Sequence, residues 1–207
     1  MLDRNMESVA LSRRNFIRLA SLGLAGIVAS LSSKKALADA QFSQNMNLTP
    51  EDIFNRTREI HDKYSVGDIL SDADAEFVRL YGSNPNSRTT WSFSGSRYFN
   101  GATYQISGYK ELTNTWSDVY SYGGTVQGGC ATVTSNKITT YYSIMAYGLT
   151  GLSYEVIYQD RQHKECSGVN WCTHEYYGEF NGALSTQTIA CWAEFEIDSG
   201  SFVVNEG

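Results

Sequence analysis

The chain lacks any apolar run long enough to anchor it as a membrane-spanning helix. The stretch at residues 19–31 has 13 residues, where a span needs about 20. It also lacks the usual signs of nucleophilic and phosphate chemistry. No Gly-x-Ser-x-Gly elbow occurs, no Gly-rich loop follows a strand and opens a helix, and the only histidines are His61, His163 and His174. Basic residues are too few for a nucleic-acid partner. Six of the 16 basic and three of the 22 acidic residues lie within residues 1–40, leaving 10 and 19 beyond, a net charge of −9. That balance repels phosphate backbones and anionic lipid surfaces. No internal repeat is present, and the aromatic content argues against disorder: all 14 tyrosines and all four tryptophans follow residue 40.

What is present begins with three zones. Residues 1–18 are polar and contain Ser12-Arg13-Arg14-Asn15-Phe16-Ile17-Arg18; the apolar stretch follows; then comes Lys34-Lys35-Ala36-Leu37-Ala38-Asp39-Ala40. A charged region, a short apolar region and a small-residue cleavage site make a secretory signal. The paired Arg13 and Arg14 with Asn-Phe-Ile-Arg resemble the twin-arginine export motif. The resemblance implies a twin-arginine translocase and a signal peptidase as export partners, with cleavage after Ala38 or Ala40. No cysteine lies near that point for lipid attachment, and no apolar tail or sorting motif closes the chain. The expected product is a released, folded domain outside the cytoplasm, in the periplasm or beyond.

Residues 41–88 read as a helical segment. Thr49-Pro50-Glu51-Asp52 offers an N-cap, a proline at the first helical position and acids in the first turn. Ile53, Thr57, Ile60 and Tyr64 share one face. Ser71-Asp72-Ala73-Asp74 offers a second start, with Phe77, Leu80 and Tyr81 apolar and Gly82 as the stop. From residue 89 to 207 the period changes to two. Strands are expected at 91–98, 103–112, 116–122, 125–134, 138–147, 152–160, 173–180 and 186–198. Turn signals separate them, among them Asn100-Gly101, Gly123-Gly124, Ser135-Asn136, Gly148 to Gly151 and Asn181-Gly182. Short connections mean hairpins, hence a mainly β domain: an antiparallel sandwich or barrel of about seven to eight strands behind two short helices that pack on the sheet.

All four cysteines follow residue 40, and an oxidising compartment favours two bridges, Cys166–Cys172 and Cys130–Cys191. Between His163 and His174 lie both Cys166 and Cys172, a set that zinc could use, but C-x5-C with the histidines outside the pair is not a zinc spacing. A disulfide-closed hairpin tip is the stronger reading. Asp68, Asp72, Asp74 and Glu76 hint at calcium, yet Phe77 and Ser83 occupy the glycine and bidentate-acid places of an EF-hand loop. No cofactor is implied.

On the last strand, Trp192, Glu194, Glu196 and Asp198 share a face. Carboxylates two residues apart stand about 6.5–7 Å from one another, a separation that glycosidases use. The run is similar to the Glu-x-Asp-x-x-Glu motif of jelly-roll glycosidases, but Ser201 stands third. A solvated acidic face that blocks edge pairing explains it as well. Among the aromatics, Tyr141, Tyr147, Trp171, Tyr177 and Trp192 are candidates for outward-facing rings that hold a glycan or protein. The leading expectation is therefore an exported β domain that acts by binding. A small secreted hydrolase using Glu194 and Glu196 comes second, and an exported toxin or bacteriocin-like protein third.

Overall fold

In the computed structural model, residues 45, 47–83, 89–116 and 118–206 are described. The export-signal residues Arg13, Arg14, Ala38 and Ala40 lie outside that set. Two helices come first, α1 (Pro50–Lys63) and α2 (Asp72–Tyr81). Both start where the sequence places a cap. The Thr49 side chain accepts from the Asp52 N–H while the Asp52 carboxylate accepts from the Thr49 N–H, a complete capping box, and Ser71 caps α2 through the Asp74 N–H.

Eight strands follow: β1 (Thr89–Phe99), β2 (Ala102–Trp116), β3 (Val119–Gly129), β4 (Ser135–Thr150), β5 (Ser153–Val169), β6 (Trp171–Asn181), β7 (Thr186–Ile197) and β8 (Gly200–Asn205). They form two antiparallel four-stranded sheets, β1-β2-β3-β6 (sheet I) and β5-β4-β7-β8 (sheet II). The fold is a sandwich, and the sheets do not close into a barrel. Asn100 and Gly101, both at positive φ (47° and 83°), make the tight β1–β2 turn.

Inward rows of both sheets build one core that includes Tyr104, Ile106, Leu112, Tyr122, Val126, Ile138, Tyr142, Ile144, Phe195 and Phe202. The sheets come close where Gly128 faces Ala193: a Cβ on Gly128 would stand 2.7 Å from that of Ala193. Hairpin β5–β6 carries the chain from sheet II to sheet I, and the Cys166–Cys172 disulfide staples it.

The helices cover the outer face of sheet II. Phe54 packs on Ala190 and Trp192, while Ile60, Phe77 and Val78 pack with Met145, Tyr147 and Val156. His61, fully buried, joins α1 to the sheet: Nδ1 lies 2.7 Å from Ser143 Oγ and Nε2 2.8 Å from Thr188 Oγ1. Between the helices, the 1 %-exposed carboxylate of Asp74 receives Arg56 (2.6 Å), Lys63 (2.7 Å) and the hydroxyls of Tyr64 and Ser71 (both 2.7 Å). Burial raises its pKa, but the hydrogen bonds from Lys63, Ser71 and Tyr64 and the Arg56 charge outweigh it and hold the group low.

Several expectations change. Gly123-Gly124 is not a turn but the middle of β3, and residues 130–134 are loop. Strand β5 runs on through the charged stretch to Val169, and β8 is an additional strand. On α1 the expected Thr57 and Ile60 are buried, as is Tyr64 just past its end, but Phe54 and His61 join them and Ile53 is only half-buried; on α2 Leu80 is exposed. The Cys130–Cys191 bridge is absent: both thiols are free and buried. Cys191 lies against Tyr176, whose strand partner is Gly124, six residues along β3 from Cys130. Six residues of strand are about 20 Å, beyond the reach of a disulfide.

Candidate functional site

The outer face of sheet II absorbs most of the sequence-predicted residues without exposing them. Tyr147 is fully buried and donates or accepts at Thr188 Oγ1 (2.9 Å). Trp192 is 2 % exposed, held edge-on by Phe54 and face-on by Tyr141, with ring centroids 4.7 Å apart and Arg58 4.5 Å above it. Tyr141 in turn stacks on His163. Neither Tyr147 nor Trp192 can therefore meet a ligand at the surface, and Tyr141 is half-buried beside them.

The two carboxylates of the hydrolase reading lie at the end of this row. Glu194 accepts from Tyr141 Oη (3.2 Å) and Trp192 Nε1 (3.3 Å), and Glu196 pairs with Lys137 (3.4 Å). None of the described cavities is lined by either. The histidines of the 163–174 cluster point to opposite faces. His163 is exposed on the outer side of β5, and His174 is buried on the core side of β6 with Nδ1 unpartnered. Burial, then the charges of Lys164 and His163, lower the His174 pKa. Both cysteine sulfurs are used by the disulfide, and no group of three or more metal-ligating side chains gathers among the described residues.

Ser143, His61 and Thr188 have the spacing of a nucleophile beside a base, but all three are buried where α1 packs on sheet II. Burial, reinforced by Arg161 and opposed by Asp62, holds the His61 pKa down to about 3, so the ring is neutral. The triplet works as a clamp for the helix.

No described element covers the outer face of sheet I. Its strand register sets out four rows of four: Thr90, Glu111, Gly123, Tyr177; Ser92, Tyr109, Thr125, Glu175; Ser94, Ser107, Gln127, Thr173; and Ser96, Gln105, Gly129, Trp171. No lysine or arginine is among them. Hydroxyl and carboxamide groups dominate, with two rings on the edge strand β6, Tyr177 (66 % exposed) and Trp171 (38 %), and one on the interior strand β2, Tyr109 (39 %). Gly123 and Gly129 are buried although they face outward, because rings lie on them. A Cβ at Gly123 would stand 2.9 Å from Tyr177 Cδ1, and one at Gly129 2.3 Å from Trp171 Cε3. The glycines let the rings lie down against the sheet and leave the opposite ring faces open. Trp171 and Tyr177 are six residues apart on β6, about 20 Å along the strand. Of the five expected binding residues, these two alone share an open face; Tyr109 and the Ser/Thr/Gln rows were not singled out.

With that geometry in place, the sequence matches no known protein family and no curated protein.

Proposed function

We propose that this is an exported binding domain that holds a neutral glycan on the outer face of sheet I. The observation that carries the reading is the pair of rings, Trp171 and Tyr177, laid flat over Gly129 and Gly123 at opposite ends of a cation-free field of hydroxyl and amide groups. Sugar rings offer apolar faces to aromatic planes and hydroxyls to side-chain donors and acceptors, which this field supplies between the rings. Thr173 and Gln127 already hydrogen-bond to one another there at 3.1 Å, an arrangement that fixes both polar groups beneath a ligand. A protein partner would favour a central apolar patch over these polar rows. The acidic residues Glu111 and Glu175 disfavour anionic polymers.

Export by the twin-arginine route, with removal of residues 1–38 or 1–40, fits a chain that carries a disulfide and whose described helices are too short and polar to cross a membrane. Replacing Arg13 and Arg14 by lysine should leave an unprocessed precursor in the cytosol; normal export would remove this part of the reading.

The binding claim is tested by retention of the processed protein on cellulose, chitin, xylan and mannan. Wild type should be held by at least one, and the Trp171→Ala, Tyr177→Ala double variant should lose about 10-fold or more in affinity while remaining folded. Base-rate stacking energies of about 0.5–1.5 kcal/mol per ring set that scale. No retention by any polysaccharide, or equal retention by the double variant, overturns the glycan reading. Capture of a protein through the same face would replace it with a protein surface.

A further inference from the structure

Acids outnumber bases in this chain, and they take up most of its positive charges. Among the described residues, Arg56, Lys63, Arg79, Lys110, Lys137 and Arg161 each pair with a carboxylate within 3.4 Å. Lys164 donates to the Thr173 carbonyl (2.7 Å). Arg58 and Arg97 have no carboxylate partner among the described residues, and both line one groove of about 550 Å³.

One wall of the groove is α1, with Glu51, Asn55 and Arg58; the other is the meeting of β1 and β8, with Ser96, Arg97 and Asn205. The two strands can meet there because Gly95 has no Cβ to strike the Asn205 carbonyl. Both guanidinium groups are held in place. Arg58 lies 4.5 Å over the Trp192 ring, and Arg97 donates to the Val203 carbonyl (3.2 Å) and lies 5.8 Å from the centre of the Phe202 ring. Rings and a carbonyl fix position without cancelling charge, so the remaining N–H donors stay available. Like charges on facing walls repel, and an anion between them turns that repulsion into attraction. The processed chain has no further acid to fill this place. Past residue 40, only residues 41–44, 46, 84–88, 117 and 207 fall outside the described set, and none is aspartate or glutamate. Glu51 is the single acid of the lining and pairs with neither arginine, so the lining carries +2 − 1 = +1. That charge suits a monoanion better than a phosphate dianion.

We propose that this groove binds a hexuronic acid unit, a sugar that carries one carboxylate. The planar forks of Arg58 and Arg97 match a carboxylate, which a lysine pair would not do as well. Ser96, Asn55 and Asn205 both donate and accept, as the sugar hydroxyls around that carboxylate require. The volume lies within the range of small-molecule sites. The inference is independent of the glycan face on sheet I.

The test uses the processed, ¹⁵N-labelled protein and four probes: methyl glucuronide, methyl glucoside, acetate and inorganic phosphate. Methyl glucuronide should move the Nε–H resonances of Arg58 and Arg97 saturably, with the other three about 10-fold weaker or more. Arg58→Gln and Arg97→Gln should each weaken it about 10-fold, the scale of a hydrogen bond to a charged group. Arg97 is exposed, so its replacement leaves the core alone. The Trp171→Ala, Tyr177→Ala double variant should bind methyl glucuronide as wild type does; loss of binding there would move the ligand to sheet I and overturn the proposal. No saturable shift, or equal binding by the Arg58→Gln, Arg97→Gln double variant, overturns it as well. So does acetate or phosphate binding as tightly as the glucuronide, which would reduce the groove to a general anion site. Arginine shifts that follow protein concentration alone would assign the groove to acids of a second copy and overturn it too.

Discussion

The two outer faces of this sandwich carry the same kinds of aromatic ring, and those rings meet opposite fates. On sheet II, Tyr141, Tyr147 and Trp192 alternate outward from β4 and β7, and α1 and α2 close over them. On sheet I, Trp171, Tyr177 and Tyr109 alternate outward in the same way, and no described element covers them. The strand pattern is equal in both, so alternation alone decides which side a ring takes, not whether it is wet. The difference comes from the other residues of each face. Sheet II offers Met145, Val156 and Ala190, apolar surface that a helix can bury, and hydroxyls of Ser143 and Thr188 spaced to receive both nitrogens of His61. Sheet I offers serine, threonine and glutamine, whose burial would cost more than it returns.

Removing the cover is the strongest way to break this comparison. A processed chain beginning at residue 89 should aggregate and bind a hydrophobic dye, because Met145, Tyr147 and Trp192 become solvent-facing; a monomeric, dye-negative product in size-exclusion chromatography would show that the helices are dispensable. Next comes a matched pair of truncations. Trp192→Ala should lower unfolding free energy by about 3–5 kcal/mol in urea titration, whereas Trp171→Ala should cost under about 1 kcal/mol, since its ring is exposed on one side. Equal costs would erase the distinction between the faces.

The clamp beneath the cover adds a pH signature. His61 is neutral when folded, with its pKa lowered from 6.5 to about 3. The unfolded chain thus binds a proton between those values that the folded chain refuses, and stability should fall as pH drops below about 6.5. The slope approaches 1.4 kcal/mol per pH unit for this one group. His61→Gln should flatten that slope when denaturant midpoints are compared at pH 7, 5.5 and 4; an unchanged slope would show that the ring is not the group responsible. A smaller effect belongs to the stapled hairpin. Replacing Cys166 and Cys172 by serine should cost about 2 kcal/mol, the loop-entropy value for a bridge of separation 6, and leave the sheet I rings in place.

Much of this architecture is legible in the chain. Thr49 with Asp52, Ser71, Asn100-Gly101 and the alternation from Ile189 to Ile197 each specify their element locally, and each is found as expected. The misreadings have a common origin in tertiary contact. Gly123-Gly124 looks like a turn because its reason, a ring from β6 resting on Gly123, lies more than fifty residues away. The charged stretch 161–165 looks like loop, yet an edge strand can carry such side chains outward: Arg161 pairs with Asp62 of α1 and His163 is exposed. Cys130 and Cys191 are even in number with the others, but counting cannot tell which strand levels face each other. The candidate site was half legible: Trp171 and Tyr177 stand out by type, while the polar rows between them read as ordinary solvated side chains until the register aligns them.

The central claim is that the outer face of sheet I is the one that holds the neutral glycan. It is tested most directly by following the tryptophan indole resonances of the processed protein as soluble oligosaccharide fragments of the retained polysaccharide are added. The Trp171 indole should shift and saturate while that of Trp192, beneath α1, stays fixed. A Trp192 shift with Trp171 unmoved would contradict the account.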